Sequence, residues 1–119
     1  MKMGKRILVI DDNKDILDLM RYVLEGEGYS VITGRDSKPL RELHILCPDL
    51  ILLDNRLADG SGGHFCQQLK ADPSTRHLPV VLVSANTDLP GMATSCGADG
   101  YLSKPFNIRD LWELVGRFV

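Results

Sequence analysis

Short aliphatic runs alternate along the chain with longer stretches in which apolar positions recur every three or four residues. Lys5 to Ile10 (K-R-I-L-V-I) is β-branched and aliphatic, the signature of a strand buried on both faces. Asp12 or Asn13 can cap a following helix that runs to about Glu27, with Ile16, Leu19, Met20, Val23 and Leu24 at helical spacing. Tyr29 to Thr33 is a short second strand between polar flanks, which suits a sheet edge. Asp36 or Ser37 opens a second helix that carries Pro39 in its first turn and buries Leu40, Leu43 and Leu46. Leu50 to Leu53 is the most apolar strand and stops at Asp54. A turn-rich segment, Ala58 to Gly63, precedes a helix to about Ala71, and Pro79 to Val83 is another apolar run. Asp88 to Cys96 has helical spacing interrupted by Pro90 and Gly91. Gly100 to Ser103 is a fifth strand, and Ile108 to Phe118 a last helix with Ile108, Leu111, Val115 and Phe118 inward. Trp112 falls beside that stripe, where it either meets a partner or covers the edge of the core. Strictly alternating β and α units predict an α/β fold, one doubly wound parallel sheet with helices on both faces.

Composition narrows this. At 119 residues and 44% hydrophobic content, the chain suits one compact domain over 1–119 and excludes a disordered tail or two packed domains. No run approaches the roughly 18 apolar residues that span a bilayer, so no membrane partner is expected. Fourteen basic residues face 16 acidic ones with no basic block, which argues against direct nucleic-acid binding. Cys47, Cys66 and Cys96 lack paired spacing and read as reduced core thiols of a cytoplasmic protein. His44, His64 and His77 lack metal-ligand spacing.

The chemistry lies at the strand ends. The first strand runs into Asp11-Asp12, the third into Asp54, the fourth into Ser84 and the fifth into Lys104. In a parallel sheet these ends share one edge, and ligands bind there. Three carboxylates crowded together repel one another unless a cation joins them. Carboxylate oxygens with room for water suit Mg²⁺. A lone carboxylate such as Asp54 can attack phosphorus and form an acyl phosphate, with Lys104 and the Ser84 hydroxyl serving the phosphoryl oxygens. No Gly-rich loop follows the first strand, so the site fits a small phosphoryl group rather than a nucleotide.

Together, Asp11-Asp12, P-D-L-I-L-L-D ending at Asp54, V-L-V-S-A around Ser84 and G-A-D-G-Y-L-S-K-P-F around Lys104 resemble the receiver domains of bacterial response regulators, along essentially the whole chain. The flavodoxin-like strand order 2-1-3-4-5 is taken from that family rather than from the pattern, since the family's chemotaxis member is a standard example of it. The resemblance implies that Asp54 is the phosphoacceptor and that Asp11, Asp12, Asp54 and the Arg56 carbonyl hold Mg²⁺. It implies that Lys104 contacts the phosphoryl group, that Ser84 closes onto it, and that Tyr101 is the aromatic switch. A cis Lys104–Pro105 bond is implied too. The donor would be a sensor histidine kinase or a histidine phosphotransfer protein docking near the first helix, and the output an unidentified protein or domain. Such a chain is a signalling switch, not an enzyme.

Several positions depart from the family. Ala58 replaces a usual proline and Gly63 a usual larger apolar residue, which loosens the loop after Asp54. The interval from Ser84 to Lys104 is short, and with Pro90-Gly91 it predicts five helices with the fourth short or irregular. Arg56 and Asn86 occupy positions that in the family tune hydrolysis of the acyl phosphate. Two rival classes use related parts. A haloacid dehalogenase-type enzyme places its nucleophile in a D-x-D after the first strand, whereas this chain has Asp11-Asp12-Asn13. A phosphate-independent scaffold typically lacks one of the five site residues.

Overall fold

A run of aliphatic residues with no polar face is satisfied only inside a sheet covered on both sides, and the structure, a computed structural model describing residues 4–119, places each run there. Residues 1–3 of the expected 1–119 domain lie outside the described residues. The strands are β1 (Arg6–Ile10), β2 (Ser30–Gly34), β3 (Leu50–Asp54), β4 (Arg56–Leu57), β5 (Gly60–Ser61), β6 (Val80–Ser84) and β7 (Gly100–Ser103). The helices are α1 (Lys14–Gly26), α2 (Leu43–Leu46), α3 (Gly62–Ala71), α4 (Leu89–Cys96) and α5 (Ile108–Gly116), with a 3₁₀ turn at Lys38–Arg41. Five strands form a parallel sheet in the order β2-β1-β3-β6-β7, while β4 and β5 make a separate antiparallel hairpin. This is the expected flavodoxin-like order, with β2 at an edge.

Alternation along the strands divides the core into two layers. Ile7, Val9, Leu50, Leu52, Val81 and Val83 pack against α1 and α5, and Leu8, Ile10, Ile51, Leu53, Val80 and Leu82 pack against α2, α3 and α4. Asn13 caps α1, its Oδ1 accepting from Asp15 N at 2.9 Å and from Ile16 N at 3.3 Å. That start commits Leu17, Met20, Val23 and Leu24 to the sheet and turns Leu19 to solvent, contrary to the expected stripe. On α5 the inward set is Leu111, Leu114 and Val115, whereas Ile108, in the first turn, lines the rim between α1 and α5 beside Tyr22 and Trp112.

Two segments differ more from expectation. The second helix is not continuous: the 3₁₀ turn ends at Arg41, Glu42 intervenes, and a single α-turn follows, while Ser37, just before the 3₁₀ turn, places its side chain on Asp59. Leu43 is buried, but Leu40 and Leu46 are only half-buried. Cys47 ends α2 in the left-handed region (φ 48°) and is exposed, so only Cys66 and Cys96 are core thiols. Helix α4 is short, as anticipated, but Pro90-Gly91 begins it instead of breaking it. Pro90 occupies the first turn, where no N–H partner is needed, and Thr94 Oγ1 donates back to Pro90 O at 3.0 Å. A Cβ on Gly91 would stand 2.6 Å from Asp88 Oδ1, the end of an exposed side chain free to move aside.

Asn13→Ala removes both acceptor contacts of the α1 cap and is expected to lower stability to urea by about 1 kcal/mol with no change in fold.

Candidate functional site

The register of the sheet brings the strand ends level. Ile10 pairs with Leu53, Asp54 with Val83, and Ser84 with Ser103, so Asp11, Asp54, Ser84 and Lys104 emerge along one edge. Asp11 is 1% exposed and Asp54 4% exposed. Between them stands Lys104, its Nζ 2.8 Å from Asp11 Oδ2 and 2.9 Å from Asp54 Oδ1. Backbone bonds fix these groups. Asp11 N donates to Gly34 O at 3.0 Å, Lys104 N donates to Ser84 O at 2.9 Å, and the Lys104–Pro105 bond is cis. Asp11 Oδ1 accepts from Asn13 N and Asp54 Oδ2 accepts from Arg56 N, each at 2.9 Å.

Asp12 completes the cluster. Carboxylate oxygens of Asp11, Asp12 and Asp54 all lie within 4.8 Å of one another. Burial pushes the Asp54 carboxyl above the usual range, and the Asp11 charge adds to this against the opposing pull of Lys104 and the Arg56 amide. Burial alone would lower the Lys104 ammonium, but its bonds to Asp11 and Asp54 outweigh that and raise it. One ammonium thus faces three carboxylates, and the site is short of positive charge. Hard oxygen donors at this spacing fit a hydrated divalent cation such as Mg²⁺. Asp12, Asp54, Arg56, Ser84, Asn86 and Lys104 line an open cleft of about 650 Å³ here.

All five residues expected at the strand ends therefore meet. Ser84 Oγ accepts from Asn86 N at 3.0 Å. Tyr101 lies outside the cleft lining and is 46% exposed. Asn55 and Ser61, which the sequence did not single out, shape the loop after Asp54 together with Gly62 and Gly63. Asn55 Oδ1 accepts from Ser61 Oγ and Gly63 N, and a Cβ on Gly62 would overlap the Asp54 carbonyl oxygen. Arg35 donates twice to the Asp12 carbonyl. Asn55, Ser61 and Arg35 belong to no motif; the glycines and turn-rich composition of Ala58 to Gly63 were the traces of this loop in the sequence.

A doubly wound parallel sheet with a lysine-bridged acidic cluster at its carboxyl edge defines a class of α/β proteins whose strand-end oxygens suit a hard cation. Within that class, a family model for the response regulator receiver domain matches residues 7–116, and the chain belongs to this family. It is 38% identical over 114 residues to the phosphate regulon transcriptional regulatory protein PhoB of Escherichia coli, covering 92% of this chain and 49% of PhoB. It is 37% identical over 112 residues to the DNA-binding response regulator MtrA of Mycolicibacterium smegmatis, covering 92% and 48%. The chain thus spans about half the length of these curated relatives. Among solved structures, the receiver domain of sensor histidine kinase PA1611 from Pseudomonas aeruginosa, with magnesium in its active-site cleft, superimposes with a TM-score of 0.86 at 27% identity, covering 97% of both chains.

Because its folded pKa is raised, ionised Asp54 costs stability in metal-free protein, and that cost vanishes as pH falls through the raised pKa. Asp54→Asn is expected to melt at higher temperature than wild type at pH 7, with the difference shrinking as pH is lowered toward 4. Equal melting temperatures across this range would mean that Lys104 compensates Asp54 in full.

Proposed function

We infer that the cleft is a phosphoacceptor site and that Asp54 is the acceptor. The carrying observation is the Lys104 ammonium held within 3 Å of both Asp54 and Asp11 beside a third carboxylate. An Asp54 carboxylate oxygen attacks the phosphorus of a phosphohistidine; the new P–O bond forms as the P–N bond breaks, and the imidazole leaves with the electron pair. Lys104 sits against the attacking carboxylate and balances charge on the phosphoryl oxygens. Asp11, Asp12, Asp54 and the Arg56 carbonyl would hold Mg²⁺, which supplies Lewis-acid neutralisation of those oxygens when bound. Arg56 N keeps one Asp54 oxygen engaged, leaving the Lys104-paired oxygen as the other partner in transfer.

After transfer, the Ser84 hydroxyl would exchange its bond from Asn86 N for one to the phosphoryl group, and Tyr101 would swing inward from its half-exposed position. The fold then has two states that a partner can read. The donor class is a sensor histidine kinase or histidine phosphotransfer protein, and the reader is a downstream protein or output domain. The expectation of no direct nucleic-acid contact has no support from the relatives, since MtrA is named as DNA-binding. The chain modifies its own Asp54 rather than turning over a substrate, so we class it as a signalling domain spanning residues 1–119. The unpaired buried thiols of Cys66 and Cys96 favour the reducing cytoplasm, and among the described residues no helix is long and apolar enough to cross a membrane.

Incubation with acetyl phosphate and Mg²⁺ should add one phosphoryl group to the intact mass of wild type and none to Asp54→Ala. No gain in wild type, with a phosphohistidine donor also failing, would leave the phosphate-independent scaffold. Arg56 is exposed at the rim of the cleft, where its side chain limits the approach of water. Arg56→Ala should therefore shorten the lifetime of the acyl phosphate, by about threefold or more in a mass-spectrometric decay; an unchanged lifetime removes Arg56 from this role.

A further inference from the structure

Four polar or charged residues are buried among the described residues, and three of them, Asp11, Asp54 and Ser84, belong to the cleft. The fourth is Ser37, 2% exposed, at the start of the 3₁₀ turn that follows β2. A buried hydroxyl needs a partner. Ser37 finds one 22 residues away: its Oγ donates to Asp59 Oδ2 at 2.5 Å and its N donates to Asp59 Oδ1 at 3.0 Å. Both carboxylate oxygens of Asp59 are thereby engaged by one residue. The Ser37 hydroxyl, more than any other neighbour, holds the Asp59 carboxyl below the usual range.

Asp59 sits at the tip of the β4–β5 hairpin, whose pairs are only Arg56 with Ser61 and Leu57 with Gly60. A hairpin of this size does not hold its own shape in water. At its base Gly62 N donates to Asn55 O at 2.8 Å and Gly63 N donates to Asn55 Oδ1 at 3.0 Å. At its tip Ala58 gives none of the backbone restriction a proline would bring, and the Ser37 bonds supply the anchor instead. Arg56 lies between these two anchors. Its N–H is the donor that engages Asp54 Oδ2, so any swing of the hairpin changes how Asp54 is presented.

We propose that the Ser37–Asp59 pair is a positioning clamp that fixes Arg56 from the far side of the hairpin and thereby sets the affinity of the acidic cleft for Mg²⁺. The clamp rests on the reading of the cleft given under Proposed function. It joins the edge of the sheet at β2 to the loop after the acceptor, two segments that share no sequence motif. Neither residue touches the cluster of Asp11, Asp12 and Asp54; both act through Arg56 and Asp54.

The test is a calorimetric titration of Mg²⁺ into wild type, Asp59→Ala, Ser37→Ala, the double variant and Asp59→Asn, with urea unfolding and amide exchange at residues 56–61 measured on each. The expected result is Mg²⁺ binding about tenfold weaker in Asp59→Ala, the low end for an outer partner of metal ligands. Ser37→Ala keeps the backbone donor and should lose less. The double variant should be no worse than Asp59→Ala, because the two residues act as one unit. Asp59→Asn retains an acceptor for Ser37 and should recover most of the affinity. Faster exchange at residues 56–61 with Mg²⁺ affinity within about twofold of wild type would overturn the clamp and leave a structural bond only. Wild type that binds no Mg²⁺ would instead overturn the reading of the cleft, and the clamp with it.

Discussion

Two nearly buried carboxylates held on one ammonium organise this molecule. Asp11 and Asp54 leave adjacent strands, and Lys104 reaches both at under 3 Å. Breaking that arrangement by removing Lys104 would leave two like charges in a poorly solvated place, an expensive state. Yet the arrangement is not charge-balanced, because Asp12 adds a third carboxylate and Asp54 stays raised despite its cationic neighbour. The site keeps a residual demand for positive charge, which suits a hard divalent cation.

The fold serves this convergence through register. Parallel pairing of β1 with β3, β3 with β6 and β6 with β7 aligns four strand ends to within a residue. The strands can be that close and that apolar because helices cover both faces, so alternate residues enter separate cores. Polar atoms then concentrate where the strands stop. Of the four buried polar residues among those described, three lie along that edge.

The segment after Asp54 is where this chain is most individual. The β4–β5 hairpin carries Arg56 against Asp54, Gly62 lets the backbone pass next to the Asp54 carbonyl, and Asn55 ties the base to the start of α3. Ser37, at the start of the 3₁₀ turn, bonds the hairpin tip at Asp59 through both its N–H and its hydroxyl.

The strands, their parallel arrangement, a helix cap at Asp12 or Asn13 and the five polar residues at the strand ends were legible in the chain, because burial on both faces and termination by a polar residue are local properties of short segments. Strand order came from resemblance, since pattern alone does not say which buried strand lies beside which. The inward faces of α1 and α5 were only half legible: Leu17 and Leu19 both fit a helical stripe, and the Asn13 cap with the sheet beneath it chose between them. The discontinuity of the second helix, the exposure of Cys47 and the role of Pro90-Gly91 as a helix start emerged only in the folded chain, and the Ser37–Asp59 pair joins residues 22 apart that no local pattern connects. What the sequence determined by itself was which aliphatic runs must be buried strands and which polar groups end them; only the folded chain determined which of those groups face one another, because that depends on distances between segments far apart in sequence.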